Sequence, residues 1–187
     1  MFTPLLRGFS HFPEEGRIVG RLLAAYGELE IDVMNCVAVG TDIDTAVKGL
    51  YRHRGETRRI DVAERLGGPY YATHKLDGEF AAGICAVRYC LKIRNLYAHC
   101  QWCDDNSGEL AFVDLEELAR RNDAIKDLNA TRCHVDVAFL KDQEVYFQET
   151  AHYLHWLNYE SRHLAGELPT RLIVKPSQRT PPPLRRP

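Results

Sequence analysis

Residues 77–100 read DGEFAAGICAVRYCLKIRNLYAHC. At about 100° per residue, this stretch has one apolar face and, opposite to it, a second largely apolar face. The first face consists of Phe80, Ile84, Val87, Leu91 and Ala98, and the second of Cys85, Tyr89, Ile93 and Leu96. The pattern predicts a long helix from about Asp77 to Ala98 or Cys100 that is covered on two sides and is central to the fold.

A narrow polar seam separates the two faces. Its members, at spacings of four, three and four residues, are Arg88, Lys92, Asn95 and His99. A histidine gains or loses a proton near neutral pH, and amides and cations can hydrogen-bond anionic oxygens. We therefore expect the seam, together with Arg94, to bind a phosphate and move a proton. It would face solvent, a cleft or a second subunit. The alternative is an ordinary solvated edge of the helix.

Arg94 itself lies outside the seam. It falls beside the first apolar face, about 140° from His99 around the helix. The two side chains can meet only if the helix loosens near its end, if Arg94 bends round, or if two copies of the chain contribute one residue each. A guanidinium beside an apolar face needs a partner, and Glu30 is the best candidate because apolar residues surround it in an earlier predicted helix. We predict a contact between Glu30 and Arg94; the alternative is a purely structural Arg94.

Two further long helices are predicted from apolar residues at helical spacing. One runs from Glu14 to about Val39, and the other runs from about Phe139 to Ala165, where Gly166 would end it. Shorter elements fill the remaining sequence. The first short helix is Asp42–His53, which Thr41 or Asp42 would cap, and the second is Glu56–Leu66, which Gly67-Gly68-Pro69 would end. The third is Asp114–Asn122, which Asp114 would cap. The predicted strands are Cys100–Cys103, Glu109–Val113 and Cys133–Val137.

These elements predict an all-α fold. We expect an up-and-down helical bundle with three long helices, short connecting helices and a small β-hairpin or three-stranded insertion after the Arg94 helix. Residues 1–167 should form a single domain, and the basic, proline-rich residues 168–187 a flexible tail. We find no internal repeat and no second domain.

The composition is that of an ordinary globular protein. The chain has 187 residues, 45% of them hydrophobic and 27% charged, and a formal net charge of -2. No apolar run approaches the roughly 18 residues of a membrane span, and the N-terminus has no signal-peptide pattern, so we expect a soluble, cytoplasmic protein without membrane contact. Such a net charge neither supports nor excludes RNA binding, which would depend on a local basic patch.

The segment Arg94-Asn95-Leu-Tyr-Ala-His99 resembles the R-x4-6-H motif of the HEPN superfamily, in which a polar residue often follows the arginine. Its place near the end of a late helix, after an earlier long helix, is also similar to that family over approximately residues 14 to 165. The resemblance implies a domain of four or five helices. It also implies a homodimer in which two motif helices face each other and form a composite active site.

The resemblance further implies a function. Many HEPN proteins are metal-independent endoribonucleases that act as toxins, phage-defence effectors or RNA-processing factors, while others are inactive and bind nucleotides, RNA or protein partners. In an active member, His99 would serve as base or acid, Arg94 would stabilise the phosphorane and Asn95 would orient it, with Glu30, Arg88 and Lys92 in support. No cofactor is expected, and an antitoxin or regulatory partner is among the partners that the resemblance implies. Gln101 stands where some HEPN toxins carry a modified tyrosine, so the chain departs from the pattern of that toxin group at this position.

The six cysteines are interpreted as reduced thiols, because a chain of this size does not need disulfides to fold. A zinc site at Cys100, Cys103, Cys133 and His134 is the less favoured alternative, since a single C-x2-C is weak evidence for metal. A zinc-stabilised interaction module would follow from it. The histidines of the last helix are expected to pack among aromatic residues rather than bind a ligand.

A compact basic cluster lies between two short predicted helices. It consists of Arg52, Arg54, Arg58 and Arg59. Such a cluster can contact RNA phosphates, and its alternative is a solvated loop face. The leading function that the HEPN resemblance implies is a metal-independent endoribonuclease, and the second is a catalytically silent dimer that binds a nucleotide, RNA or a protein.

Overall fold

The computed structural model of the chain describes residues 6–121, 124–125, 127–128 and 131–186. The fold is mostly helical, with a small antiparallel sheet. In chain order the elements are α1 (Arg7–His11), α2 (Pro13–Gly40), α3 (Ile43–Tyr51), α4 (Glu56–Thr73), α5 (Asp77–His99), β1 (Gln101–Cys103), β2 (Leu110–Val113), α6 (Leu115–Arg120), β3 (Cys133–Val135) and α7 (Val137–Leu164). Among the described residues, no helix is long and apolar enough to cross a membrane.

The chain contacts divide the molecule into two compact units. The first unit comprises the described residues of Met1–Ala24, Lys92–Val145 and Pro182–Pro187, and the second comprises Ala25–Leu91 and Tyr146–Pro181. The helices α2, α5 and α7 each contribute residues to both units. The expected tail is likewise divided at Pro182, so its predicted start at residue 168 does not coincide with a boundary between units.

The first unit is organised around its sheet. The strand β2 is buried along its whole length and pairs with β1 and with β3, both antiparallel, in the order β1-β2-β3. Trp102 and Tyr97 pack against Phe112 with ring centroids 5.3 and 5.9 Å away, and Phe9 covers Trp102 from α1 at 5.2 Å. The predicted hairpin and third strand are therefore confirmed, and their aromatic residues form the core on which the end of α5 rests.

The second unit contains α3, α4 and parts of the long helices, and α4 corrects one prediction. Gly67-Gly68-Pro69 was expected to stop a helix at Leu66, yet α4 continues to Thr73. Tyr71 is fully buried, stacks on Phe80 at 4.4 Å and donates a hydrogen bond to the carbonyl of Cys36 at 3.0 Å. Burying this side chain outweighs the loss of helix stability that glycine and proline cause.

Capping residues set several helix ends. The Asp42 carboxylate accepts a hydrogen bond from the Thr45 amide at 2.8 Å, and that of Asp114 accepts one from Glu117 at 2.9 Å, as an N-cap residue does. Gly166 has φ of 80°, which suits a glycine directly after a helix. These three predictions are confirmed. The helix predicted from Asp114 to Asn122 ends at Arg120, and Asn122 itself lies outside the described residues.

Candidate functional site

The end of α5 carries Arg94, Asn95 and His99 in the first unit. The Arg94 Nη1 donates to the Asn95 Oδ1 at 3.0 Å, and both side chains are partly exposed, whereas His99 is exposed. Because the bond uses the amide oxygen of Asn95, the amide N–H groups of that side chain remain as donors. The arginine and the amide therefore form one block of hydrogen-bond donors, with a histidine one helical turn further on.

Tyr97 fixes this part of α5. Its side chain is buried, and its hydroxyl donates to the Oε1 of Gln143 at 2.6 Å. Burial raises the pKa of Tyr97, so its hydroxyl stays protonated at neutral pH and remains a donor. The Tyr97 carbonyl accepts hydrogen bonds from Cys100 Sγ at 3.6 Å and Trp102 Nε1 at 3.4 Å. These bonds satisfy one of the carbonyls that a helix end leaves without a partner.

The regularity of α5 bears on how Arg94 and His99 could act together. The helix continues through His99, so loosening before the histidine is not what brings the two side chains together. Their angular separation of about 140° therefore holds. Bending of the long Arg94 side chain and pairing of two copies remain as the two routes to a common site.

Glu30 and Arg59 form a different pair from the one expected. The Arg59 Nη1 lies 3.0 Å from both carboxylate oxygens of Glu30, its Nε donates to the His53 carbonyl at 2.9 Å, and its guanidinium lies 5.1 Å from the centre of the Tyr51 ring. Arg59 is therefore an internal ion-pair partner, and its assignment as an RNA contact stays a prediction. The Glu30–Arg94 contact stays a prediction, since the two residues belong to different units.

The remaining seam residues have distinct settings. Arg88, in the second unit, donates to Asp61 at 2.7 Å and to Glu64 at 2.9 Å. Burial opposes charge on Arg88, but these two hydrogen bonds outweigh it and raise the pKa of the guanidinium. Lys92 is exposed and belongs to the first unit, like the candidate site. Arg88 is thus neutralised by two carboxylates, and Lys92 is the seam cation nearer in sequence to His99.

Arg52, Arg54 and Arg58, here called the Arg52 patch, differ from Arg59. All three side chains are exposed. In the part of the chain that the structure describes, no ion pair to a carboxylate involves any of them. Three cationic heads between the end of α3 and the first turn of α4 are therefore available to an anionic partner.

The zinc alternative is wrong in its geometry. Within the described ranges, no group of three or more histidine, cysteine, aspartate or glutamate side chains is placed to hold a metal ion. The His134 Nε2 instead bonds to Asp105 at 3.0 Å. Hydrogen bonds from Ser107 and His134 lower the pKa of Asp105. All six cysteines are free thiols, which agrees with the reduced state expected, and burial raises the pKa of Cys100 to about 12.

The chain was also compared with known proteins. No family model matches it. No curated protein and no solved structure matches it either.

One polar groove in the second unit was not anticipated. Its volume is about 540 Å³, and at its wall the His155 Nε2 bonds to Asp32 at 2.9 Å. Burial raises the pKa of Asp32, against the opposing effect of His155. Asn158 and Arg162 follow His155 by three and seven residues and also line the groove. That helical spacing was visible in the sequence. Asp32, however, is 123 positions from His155, so no local pattern predicted the contact between them.

Proposed function

We propose that the protein is a HEPN-like, metal-independent endoribonuclease whose active site is shared by two copies of the chain. The observation that carries the proposal is the end of α5, where Arg94 is bonded to Asn95 and an exposed His99 follows one turn later. A cation, an amide and a proton-transfer group on a rigid element are the parts that phosphodiester cleavage needs.

The proposed reaction is an attack by a ribose 2′-hydroxyl on the adjacent phosphorus. His99 as base takes the hydroxyl proton, the new P–O bond closes a cyclic phosphate, and the leaving 5′-oxygen receives a proton from the protonated histidine of the site or from water. Arg94 stabilises the negative charge of the phosphorane, and the amide N–H groups of Asn95 orient its oxygens. The products are a 2′,3′-cyclic phosphate and a 5′-hydroxyl.

A homodimer supplies the geometry that one α5 helix lacks. Arg94 of one copy and His99 of the other can then approach one phosphate from two sides, although they diverge by about 140° on their own helix. The Arg52 patch is proposed to hold the RNA backbone elsewhere on the molecule through its three exposed cations.

The direct test is cleavage of a mixed RNA pool in EDTA. His99→Ala should reduce the rate by about 10²- to 10⁴-fold, and Arg94→Ala by about 10²- to 10³-fold, because each removes a group that acts in the transition state. His152→Ala and Arg65→Ala, which alter exposed residues of α7 and α4, serve as matched controls and should cleave like the wild type. Equal cleavage by wild type and a folded His99→Ala protein would disprove the assignment.

Mixed dimers test whether the site is shared. When Arg94→Ala and His99→Ala chains are co-expressed, half of the randomly paired dimers are mixed, and each mixed dimer keeps one site with both residues intact. About a quarter of the wild-type activity should therefore return. A mixture as inactive as its two components would place Arg94 and His99 of one chain in one site, or show that the chains do not pair.

The Arg52 patch favours a second candidate function, a catalytically silent RNA-binding dimer. Phosphate contacts by exposed arginines give affinity without cleavage and depend strongly on salt. In this case RNA would bind and remain intact, and replacing Arg52, Arg54 and Arg58 by alanine would weaken binding and flatten its salt dependence. Arg59→Ala is not a substitute for these variants, because Arg59 is engaged with Glu30.

A further inference from the structure

The last described residues of the chain are held by the first unit. Pro182 is buried, and the carbonyl of Pro183 accepts a hydrogen bond from the Nε2 of Gln143 at 3.0 Å. Gln143 has no exposed surface, and its other amide atom, Oε1, accepts from Tyr97. A buried side-chain amide thus uses both of its polar atoms, one on the interior of the unit and one on the tail backbone, which leaves it without an unsatisfied group.

Two arginines of the tail meet four carboxylates. Arg185 pairs with Asp114 and lies 4.0 Å from Glu117, whereas Arg186 pairs with Asp136 and lies 2.7 Å from Glu109. Each arginine thus lies beside one aspartate and one glutamate. The charges of the tail and of the surface beneath it are therefore complementary in sign and in position.

Helix capping holds the two aspartates, Asp114 and Asp136, in position independently of the arginines. The Oδ1 of Asp114 accepts from the Glu117 amide at 2.9 Å at the start of α6, and that of Asp136 accepts from the Phe139 amide at 2.7 Å at the start of α7. Each aspartate thus caps a helix with one oxygen and meets an arginine with the other. A site whose charged groups are held by secondary structure loses little side-chain entropy on binding.

The tail itself has the features of a peptide ligand. Residues 181–186 read PPPLRR, and prolines restrict the free segment to extended conformations, which lowers the entropy cost of binding. Both arginines stay partly exposed when seated, with side-chain exposures of 34% and 32%. Their ion pairs therefore remain accessible to salt and to competitors.

We infer that this surface, here called the Gln143 site (Gln143, Glu109, Asp114, Glu117 and Asp136), is a binding site for proline–arginine peptides. Residues 182–186 of the chain fill it, and a proline–arginine segment of a partner protein takes the same place in exchange. Gln143 recognises a proline carbonyl, and the two acidic pairs recognise consecutive arginines. Peptide binding at this site does not require RNA cleavage.

The test uses the full-length chain with its tail weakened by Arg185→Ala and Arg186→Ala. A fluorescent PPPLRR peptide is titrated into this double variant and into the wild type, and binding is followed by polarisation. A tethered segment has an effective concentration of about 1 mM, so for a peptide Kd of about 10 μM the wild type should bind about 100-fold more weakly than the variant. Binding to the variant should weaken as salt is raised.

Matched changes assign the binding to the Gln143 site. In the double-variant background, Glu109→Gln should weaken the affinity for the peptide by about 2- to 5-fold, as expected for a partly exposed ion pair. Glu116→Gln removes the same charge from an exposed residue that faces Arg120, and it should have no effect. Gln143→Leu should weaken binding further, and circular dichroism checks that this buried substitution leaves the fold intact.

Three results would overturn the inference. The first is a double variant that does not bind the peptide, and the second is a wild type that binds it as tightly as the variant. The third is a PPPLAA peptide that binds as well as PPPLRR. None of these depends on nuclease activity, so failure here and failure of the ribonuclease proposal are separate outcomes.

Discussion

Gly67→Ala should destabilise the protein, although alanine is the better helix former. Gly67 is buried inside α4, and a Cβ there would lie 2.7 Å from the Cζ of Phe80. Phe80 cannot easily retreat, because its ring is only 2% exposed and stacks on Tyr71 with an interplanar angle of 10°. The new methyl group must therefore push either the ring or the helix backbone.

The magnitude follows from two opposing effects. Alanine gains about 1 kcal/mol over glycine in a helix interior, whereas overpacking a filled core costs about 1–3 kcal/mol. A net loss of about 1 kcal/mol is expected for Gly67→Ala. Gly27, in α2 of the same unit, is exposed, and a Cβ there would meet no atom of the described residues within 4 Å, so Gly27→Ala should gain the full helix term.

Thermal unfolding followed by circular dichroism measures the difference. In a chain of this length 1 kcal/mol shifts Tm by about 2–4 °C, so the two variants should unfold about 4–8 °C apart, on either side of the wild type. Gly67→Ala should cost less in a Phe80→Leu background than in the wild type, since Phe80→Leu removes the atom that the new Cβ would strike. A Gly67→Ala protein as stable as Gly27→Ala would refute the packing argument.

Three further outcomes are expected. Arg59→Ala should lower the free energy of unfolding in urea by about 1–3 kcal/mol, because Glu30 loses its partner in a partly buried place; an unchanged midpoint would contradict this. Asp105, whose folded-state pKa is lowered, stabilises the fold above the ordinary aspartate pKa of about 4 and loses this effect as pH falls, so Asp105→Asn should flatten the acid limb of a stability–pH curve. Cys85 is exposed, whereas burial raises the pKa of Cys36 to about 12, so a thiol reagent at pH near 8 should modify Cys85 first; equal rates would argue against the burial.

Local signals in the sequence predicted local structure well. The apolar periodicity indicated α5, and Asp42, Asp114 and Gly166 marked three helix ends at their observed positions. Such signals succeed because the groups that interact are three or four residues apart. The hairpin after α5 was likewise predictable, since turn residues separate its two strands by a short loop.

Signals of the same kind failed where distant residues decide the outcome. The sequence Gly67-Gly68-Pro69 has the composition of a helix stop, but Tyr71 is held in α4 by Phe80 and Cys36. No local pattern contains that information.

The candidate site was predictable in part. Helical spacing placed His99 on an accessible edge, and His99 is exposed in the structure. The same spacing indicated that Arg94 needs a partner, for which Glu30 was the best candidate. Helical spacing could not show which arginine of the chain pairs with Glu30, and in the structure this partner is Arg59. Choosing among arginines requires tertiary distances, which periodicity does not contain.

The tail shows the same limit. Its proline and arginine content predicted an extension, because composition indicates whether a segment can form a packed core by itself. The four carboxylates that meet Arg185 and Arg186 are spread from residue 109 to residue 136: just before β2, at the start of α6 and just before α7. Only the fold brings them together beneath the chain end.

The buried hydroxyl of Tyr97 has a mechanical consequence for the end of α5. Asn95 and His99 stand two residues before and two residues after it, so both project about 160° away from the Tyr97 side chain. Any rotation of the helix about its axis would break the hydrogen bond from the Tyr97 hydroxyl to Gln143 and disrupt the packing of the ring against Trp102 and Phe112. Tyr97 thus fixes the rotation of the helix about its axis, and with it the direction in which the Asn95 and His99 side chains leave the helix.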